Sequence, residues 1–131
     1  MTIESDLVRH RGDGLRGSST DKNARDRQHA ITHVKPIERL EGYTIVECRL
    51  ETGRTHQIRI HLAERGHMLC GEKTYTKLLG GKPFKDESDA PRHALHSATL
   101  ALKHPITGEP LKFQSDWPRD LARCIERLKT T

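Results

Sequence analysis

An α+β fold, a mixed and largely antiparallel sheet flanked by helices, is what this chain of 131 residues predicts. Three observations carry the prediction. Apolar and polar residues alternate with a period of two over 41–51 and again over 94–103, the signature of half-buried strands. Each of these stretches is joined through a short turn to a second strand-like segment, as in an antiparallel hairpin. Two other stretches, 55–66 and the run after Pro118, instead carry helical spacing with recognisable ends.

The length bounds the organisation to one domain with one modest core. The reading divides it into a basic loop or linker over residues 1–27 and a folded body over 28–131. Apolar residues make up 33% of the chain, low against the roughly 45–50% of ordinary globular domains, so the core is thin and a partner segment has room to complete it. A formal charge of +5 suits a polyanion such as RNA. Three cysteines, Cys48, Cys70 and Cys124, form no even or closely spaced set, which speaks against a secreted disulfide framework and for a reducing cytoplasm. No apolar run approaches the roughly 18 residues of a membrane span, and no membrane partner is expected.

Taken in order, the first 27 residues hold Arg9, Arg11, Arg16, Lys22, Arg25 and Arg27 among glycines and serines, with few apolar residues after Val8. Two readings fit them: a flexible surface arm, or a strip of phosphate contacts that positions RNA without reading its sequence. A strand follows from His29 to Pro36, with β-branched Ile31, Thr32 and Val34. A second runs from Glu41 to Glu51, paired with the first through Arg39-Leu40-Glu41-Gly42. The helix after Gly53 has Thr55 as its expected N-cap and Gly66 as its left-handed stop, with Ile58 and Leu62 on one apolar stripe. Residues 76–92, with Gly80, Gly81, Pro83 and Pro91, read as a surface excursion. The strand over 94–103 returns through a Pro- and Gly-containing turn to Leu111-Lys112-Phe113. Pro118 then opens a last helix striped with Leu121, Ala122, Ile125 and Leu128. The tally is four strands and two helices.

Nine histidines invite a metal reading, but the spacing gives no ligand set: His56 and His61 stand five apart rather than four, and no Cys-x-x-Cys exists. No metal is expected. Arg54, His56, Gln57 and Arg59 differ, because they gather two guanidiniums, an imidazole and an amide at a helix start, where anions are favoured. The same spacing also fits Arg54 and Arg59 in solvated or internal ion pairs.

Several blocks together resemble a known family. The run Gly53-Arg54-Thr55-His56-Gln57-Ile58-Arg59-Ile60-His61-Leu62, then Gly66-His67 with Gly71-Glu72-x-x-Tyr75, then Arg92-His93-Ala94-Leu95-His96-Ser97, and last His104-Pro105-Ile106-Thr107-Gly108 are similar, in order, to the later motifs of RluA-type RNA pseudouridine synthases. The resemblance implies the pseudouridine synthase fold and a cofactor-free isomerisation of uridine in ribosomal or transfer RNA. In that chemistry an aspartate attacks a flipped uridine, the glycosidic bond breaks and the base rejoins through carbon. It implies that residues 28–131 are the C-terminal half of a catalytic domain. By the same resemblance, Arg59 is the partner of the catalytic aspartate and Leu95 packs near the uracil pocket. Arg54, His56 and Gln57, with Arg9, Arg11 and Arg16 from the basic segment, would meet RNA.

The family's aspartate lies in a His-Arg-Leu-Asp-x-x-Thr/Ser-Gly block upstream of these motifs. His10-Arg11-Gly12-Asp13 shares only its first letters, without the Leu or the Thr/Ser-Gly, so Asp13 is not read as the nucleophile. On this reading the aspartate lies outside the chain, and Arg59 stands uncompensated within it. The expectation is therefore a segment inactive by itself. The alternatives are a non-catalytic RNA-binding module and one half of a split enzyme, whose N-terminal half is a separate polypeptide.

Overall fold

Thr2–Val8 forms the first strand, β1, and with it the sheet departs from what composition predicted. The computed structural model describes residues 1–129. It holds β1, β2 (Gly17–Ser18), β3 (Gln28–Leu40), β4 (Tyr43–Leu50), α1 (Gln57–Glu64), β5 (Thr99–Lys103), β6 (Pro110–Gln114) and α2 (Arg119–Lys129). Two sheets result, one ordered β2-β1-β3-β4 and one made of β5 and β6, and every pairing is antiparallel. The expected α+β class holds, with six strands among the described residues rather than four.

The basic loop expected over residues 1–27 is corrected at its start. β1 pairs along β3, with Ile3 opposite Thr32 and Leu7 opposite Gln28, and Ile3, Leu7 and Val8 are all buried. Averaging charge over 27 residues hid a seven-residue segment whose alternate positions Ile3, Ser5 and Leu7 face the helix. From Arg9 onward the segment is loop, apart from the two residues of β2.

The expected hairpin is formed by β3 and β4, with Val34 opposite Cys48 and the chain reversing at Gly42, whose φ is +79°. A register shift falls between Pro36 and Glu38, where proline has no N–H for the ladder. Helix α1 lies across the sheet and divides its apolar contacts into two groups. Ile60 and Ala63 join Leu7, Ala30 and Tyr75; Leu62 joins Ile3 and Val34, with Ile58, Val46, Cys48 and Leu69 alongside.

A polar seam of buried and half-buried groups links helix and sheet. His61, 1% exposed, has Nδ1 2.8 Å from Thr32 Oγ1 and Nε2 2.9 Å from Ser5 Oγ. Ser18 Oγ lies 2.7 Å from both Ser5 Oγ and Glu64 Oε1. Among the described residues no buried side-chain nitrogen or oxygen lacks a hydrogen-bond partner, as burial of polar groups requires.

The helix ends as expected and begins otherwise. Gly66 takes φ +79°, its N–H bonds Ala63 O at 3.0 Å, and His67 N–H bonds Leu62 O at 2.9 Å, the paired bonds of a Schellman stop. At the start, His56 rather than Thr55 holds the N-cap position, at φ 55° and ψ 24°, without a side-chain cap. The strand expected over 94–103 is confined to Thr99–Lys103, because Ala94 N–H is taken by Cys70 O at 2.8 Å and the chain there is tied to the 70–71 turn. Arg92 joins Asp120 at 2.9 Å, and Arg127 reaches Ser88 O and Asp89 O, so α2 is fastened to the loop preceding β5. Hairpin β5–β6 sets Leu100 opposite Phe113 and Leu102 opposite Leu111. Leu100, Leu102 and Phe113 are exposed on it.

Candidate functional site

The loop from Thr52 to His56 delivers α1 against β3, and the amide of Gln57 locks that junction. Gln57 is 2% exposed: its Oε1 accepts from Thr52 Oγ1 at 2.8 Å and from Arg54 N–H at 3.0 Å, while its Nε2 donates to Ile31 O at 3.0 Å and Thr32 Oγ1 at 2.9 Å. All four bonding positions of the amide are filled from within the chain. This corrects the reading of Gln57 as an RNA contact.

With the junction fixed, Arg54 emerges on the surface, its Nε donating to His29 O at 2.9 Å. Beside it opens a pocket of about 250 Å³ lined by Arg9, Arg16, Arg54 and Thr55, with Asp26 and Gln28 at its side and Leu7, Val8 and Ile60 as its apolar floor. Two arginines of the loop after β1 and a third from the turn before α1 thus share one concavity. Arg9 is set there by its backbone N–H, which bonds Asp26 Oδ2 at 2.7 Å.

Arg11 does not join them. Its side chain is 6% exposed, bonded through Nε and Nη2 to both oxygens of Asp13 at 2.9 and 2.8 Å, and through Nη2 to Lys77 O at 3.1 Å. A guanidinium so committed is a loop clasp, and the expectation of an RNA contact at Arg11 is corrected. The Arg11 hydrogen bond, with the Leu15 amide, also holds the Asp13 carboxyl down to about 2. Asp13 is therefore a structural anion tied into its own turn.

Arg59, on α1, is also partnered. Its Nε bonds Glu72 Oε2 at 2.7 Å and its Nη2 bonds Glu72 Oε1 at 2.6 Å, a fork on a carboxylate whose side chain is 0% exposed. The expectation of an uncompensated Arg59 is corrected: Glu72, thirteen residues on, supplies the opposite charge. Burial alone would raise the Glu72 carboxyl, but the Arg59 fork and the Thr74 and Tyr75 amides outweigh it and bring it down to about 2. The guanidinium carbon sits 5.2 Å from the centre of the Tyr75 ring, a cation–π contact. Tyr75 Oη in turn lies 2.6 Å from His56 Nδ1. Burial and the neighbouring Arg59 and Arg16 lower the His56 pKa, so the imidazole is neutral at pH 7. The positive charge of Arg16 is among the influences that favour neutral His56 and ionised Tyr75.

Leu95 is half-buried beyond the 70–71 turn, its O accepting from Arg92 Nη1 at 3.5 Å, and it does not line the pocket.

A model of the RNA pseudouridylate synthase family matches residues 2–64, the span that carries β1 to β4, Arg54 and Arg59. Ribosomal large subunit pseudouridine synthase D of Pasteurella multocida is 42% identical over 110 residues, 76% of this chain and 33% of that protein. The chain belongs to the RluA-type RNA pseudouridylate synthases. The synthase D of Xanthomonas campestris is 37% identical over 136 residues, covering 98% of this chain and 39% of that one. The chain thus spans between a third and two fifths of the length of these two relatives.

The human RNA pseudouridylate synthase domain containing 1 superposes with a TM-score of 0.70 at 24% identity, over 95% of this chain and 51% of that one. The pseudouridine synthase fold follows from that likeness. Glu72 and Tyr75 belong to the Gly71-Glu72-x-x-Tyr75 block, to which sequence reasoning gave no role in the site. The available signal was a carboxylate and a phenol three apart after a glycine. Nothing in spacing alone joined them to Arg59.

Proposed function

We propose that this chain is the Arg59-bearing part of an enzyme that isomerises uridine to pseudouridine in ribosomal or transfer RNA, working in the cytoplasm without a cofactor. The nucleophilic aspartate is not among its 131 residues and is met by Arg59 from outside them. RNA lies along Arg9, Arg16 and Arg54, whose guanidiniums take backbone phosphates, and approaches the His56–Tyr75–Arg59 cluster. The observation that carries this reading is the convergence of those three arginines on one pocket. Leu95 retains its role at the uracil pocket as part of the proposal.

Two measurements test it. Purified chain should bind uridine-containing RNA with an affinity that falls steeply with salt, and Arg16→Gln should lower the salt slope by about one. The chain alone should form no pseudouridine; a polypeptide carrying the upstream His-Arg-Leu-Asp block, added in trans, should restore formation only while its aspartate is intact. Turnover by the chain alone that disappears in Asp13→Ala would refute the assignment of Asp13. RNA binding with no rescue by any upstream polypeptide would favour the non-catalytic RNA-binding module instead.

A further inference from the structure

The surface excursion after Tyr75 has no part in the site described above, yet it ends in a defined tip. Phe84 N–H bonds Thr76 O at 2.6 Å and closes the loop at its base, and Gly81 N–H bonds Leu78 O at 2.9 Å at its far end. Gly80 stands third in that turn at φ +74°, the position where type II geometry calls for glycine. The two residues before it are Leu78 and Leu79, 42% and 56% exposed, and Lys77 and Lys82 flank the turn. A lone exposed leucine is ordinary, whereas an adjacent pair held between cations matches the apolar wedges with which proteins meet nucleobases. The tip is also fastened to the arginine loop. Arg11, locked on Asp13, donates to Lys77 O at 3.1 Å, and Leu79 covers Gly12, where an added Cβ would lie 3.6 Å from its Cδ1. Residues 10–15 join Arg9 to Arg16, and Val8 pairs with Gly17 across the base of that loop. The clasp therefore sets the apolar tip and two of the pocket arginines in one frame. Neither Lys77 nor Lys82 is in an ion pair among the described residues, so both charges are available to a polyanion.

We propose that Leu78 and Leu79 form an apolar platform for an unpaired base of the RNA whose phosphates Arg9, Arg16 and Arg54 hold. The inference rests on the RNA-binding reading above and goes beyond it by assigning the excursion a part in binding. An arginine strip answers to any polyanion, but an apolar tip answers only to one that carries bases. The two contributions also differ in their response to salt: phosphate contacts release counterions, and an apolar contact does not.

That difference makes the test. Binding of the full chain to a short single-stranded uridine-containing RNA and to inorganic polyphosphate is measured across a salt series, for the wild type and for Leu78→Ser combined with Leu79→Ser. The expected result is RNA binding weakened about tenfold at every salt concentration, with the salt slope and the polyphosphate affinity unchanged. RNA binding equal to wild type would overturn the proposal; if the same variant then loses rescue by the upstream polypeptide, the tip is a protein contact instead. An equal loss for polyphosphate would overturn it too, since the change would then have reached the arginines through the fold. Wild-type chain that fails to bind the RNA at all would refute the underlying RNA-binding reading, a result separable from either. Should the double variant not fold, methyl NMR of the wild type decides: the Leu78 and Leu79 signals should shift on adding the RNA and stay in place on adding polyphosphate. Leucine signals unmoved by RNA, or moved equally by both, would overturn it.

Discussion

Truncating Gln57 to alanine tests the most consequential correction to the sequence reading, that this amide holds the fold and does not touch RNA. The change removes four hydrogen bonds of 2.8–3.0 Å from a side chain 2% exposed. Three of the four abandoned groups keep another partner: Thr52 Oγ1 still accepts from Ile31 N–H, Thr32 Oγ1 still bonds His61, and Ile31 O still accepts from Glu51 N–H. The Arg54 amide alone loses its partner. With about 1 kcal/mol net for each bond, relief where partners remain, and a small cavity, the expected loss is about 3 kcal/mol. Urea denaturation should show it as a lower midpoint at unchanged m-value. Gln57→Glu should be at least as damaging at pH 7, since a carboxylate oxygen replaces the nitrogen 3.0 Å from Ile31 O. Burial beside that carbonyl raises the new carboxyl's folded pKa, so this variant should recover as pH falls and the carboxyl regains a proton to donate. A loss below about 1 kcal/mol, or an RNA affinity reduced while stability is intact, would refute the reasoning.

Three further outcomes are expected. Gly71→Ala would put a Cβ 2.0 Å from Arg92 O at a backbone φ of +77°, so the 92–94 segment must move; the Ala94 amide, bonded to Cys70 O, should lose its hydrogen-exchange protection, and unchanged protection would contradict the geometry. Burial, with Arg65 nearby, lowers the His61 pKa, so its contribution is present above about pH 6.5 and lost as pH falls toward the folded value. His61→Gln should therefore flatten the stability slope below about pH 6.5 relative to wild type, and an identical slope in both would sink the assignment. Leu100 and Phe113, cross-strand neighbours 57% and 56% exposed, should drive self-association of the isolated chain; Leu100→Thr with Phe113→Thr should reduce it in sedimentation velocity, whereas equal association would place the contact elsewhere.

Local chemistry alone determined the hairpin over residues 28–50, the helix that Gly66 ends, the β5–β6 hairpin and the amphipathic last helix. Periods of two and of 3.6, and a glycine where φ must be positive, are properties of neighbouring residues and can be seen without the fold. The motif around Arg59 was equally legible, and so was the family it belongs to. The strand Thr2–Val8 was not, since its three core-facing positions lie beside a long basic loop whose composition dominated the reading.

The roles within the site were decided only by tertiary structure. Arg9, Arg11 and Arg16 are the same residue type in one loop, yet two line the pocket and the middle one is buried on Asp13 and Lys77. Gln57 and Arg54 are three apart, yet one is sealed against β3 and the other lines the pocket. Which side of a helix faces a sheet depends on helix phase and strand register together, and both are set by apolar contacts between distant segments. Arg59 found its carboxylate at Glu72 for the same reason. Charges pair by distance in space, and a separation of thirteen residues becomes 2.6 Å only after the 66–75 turns have folded back along α1.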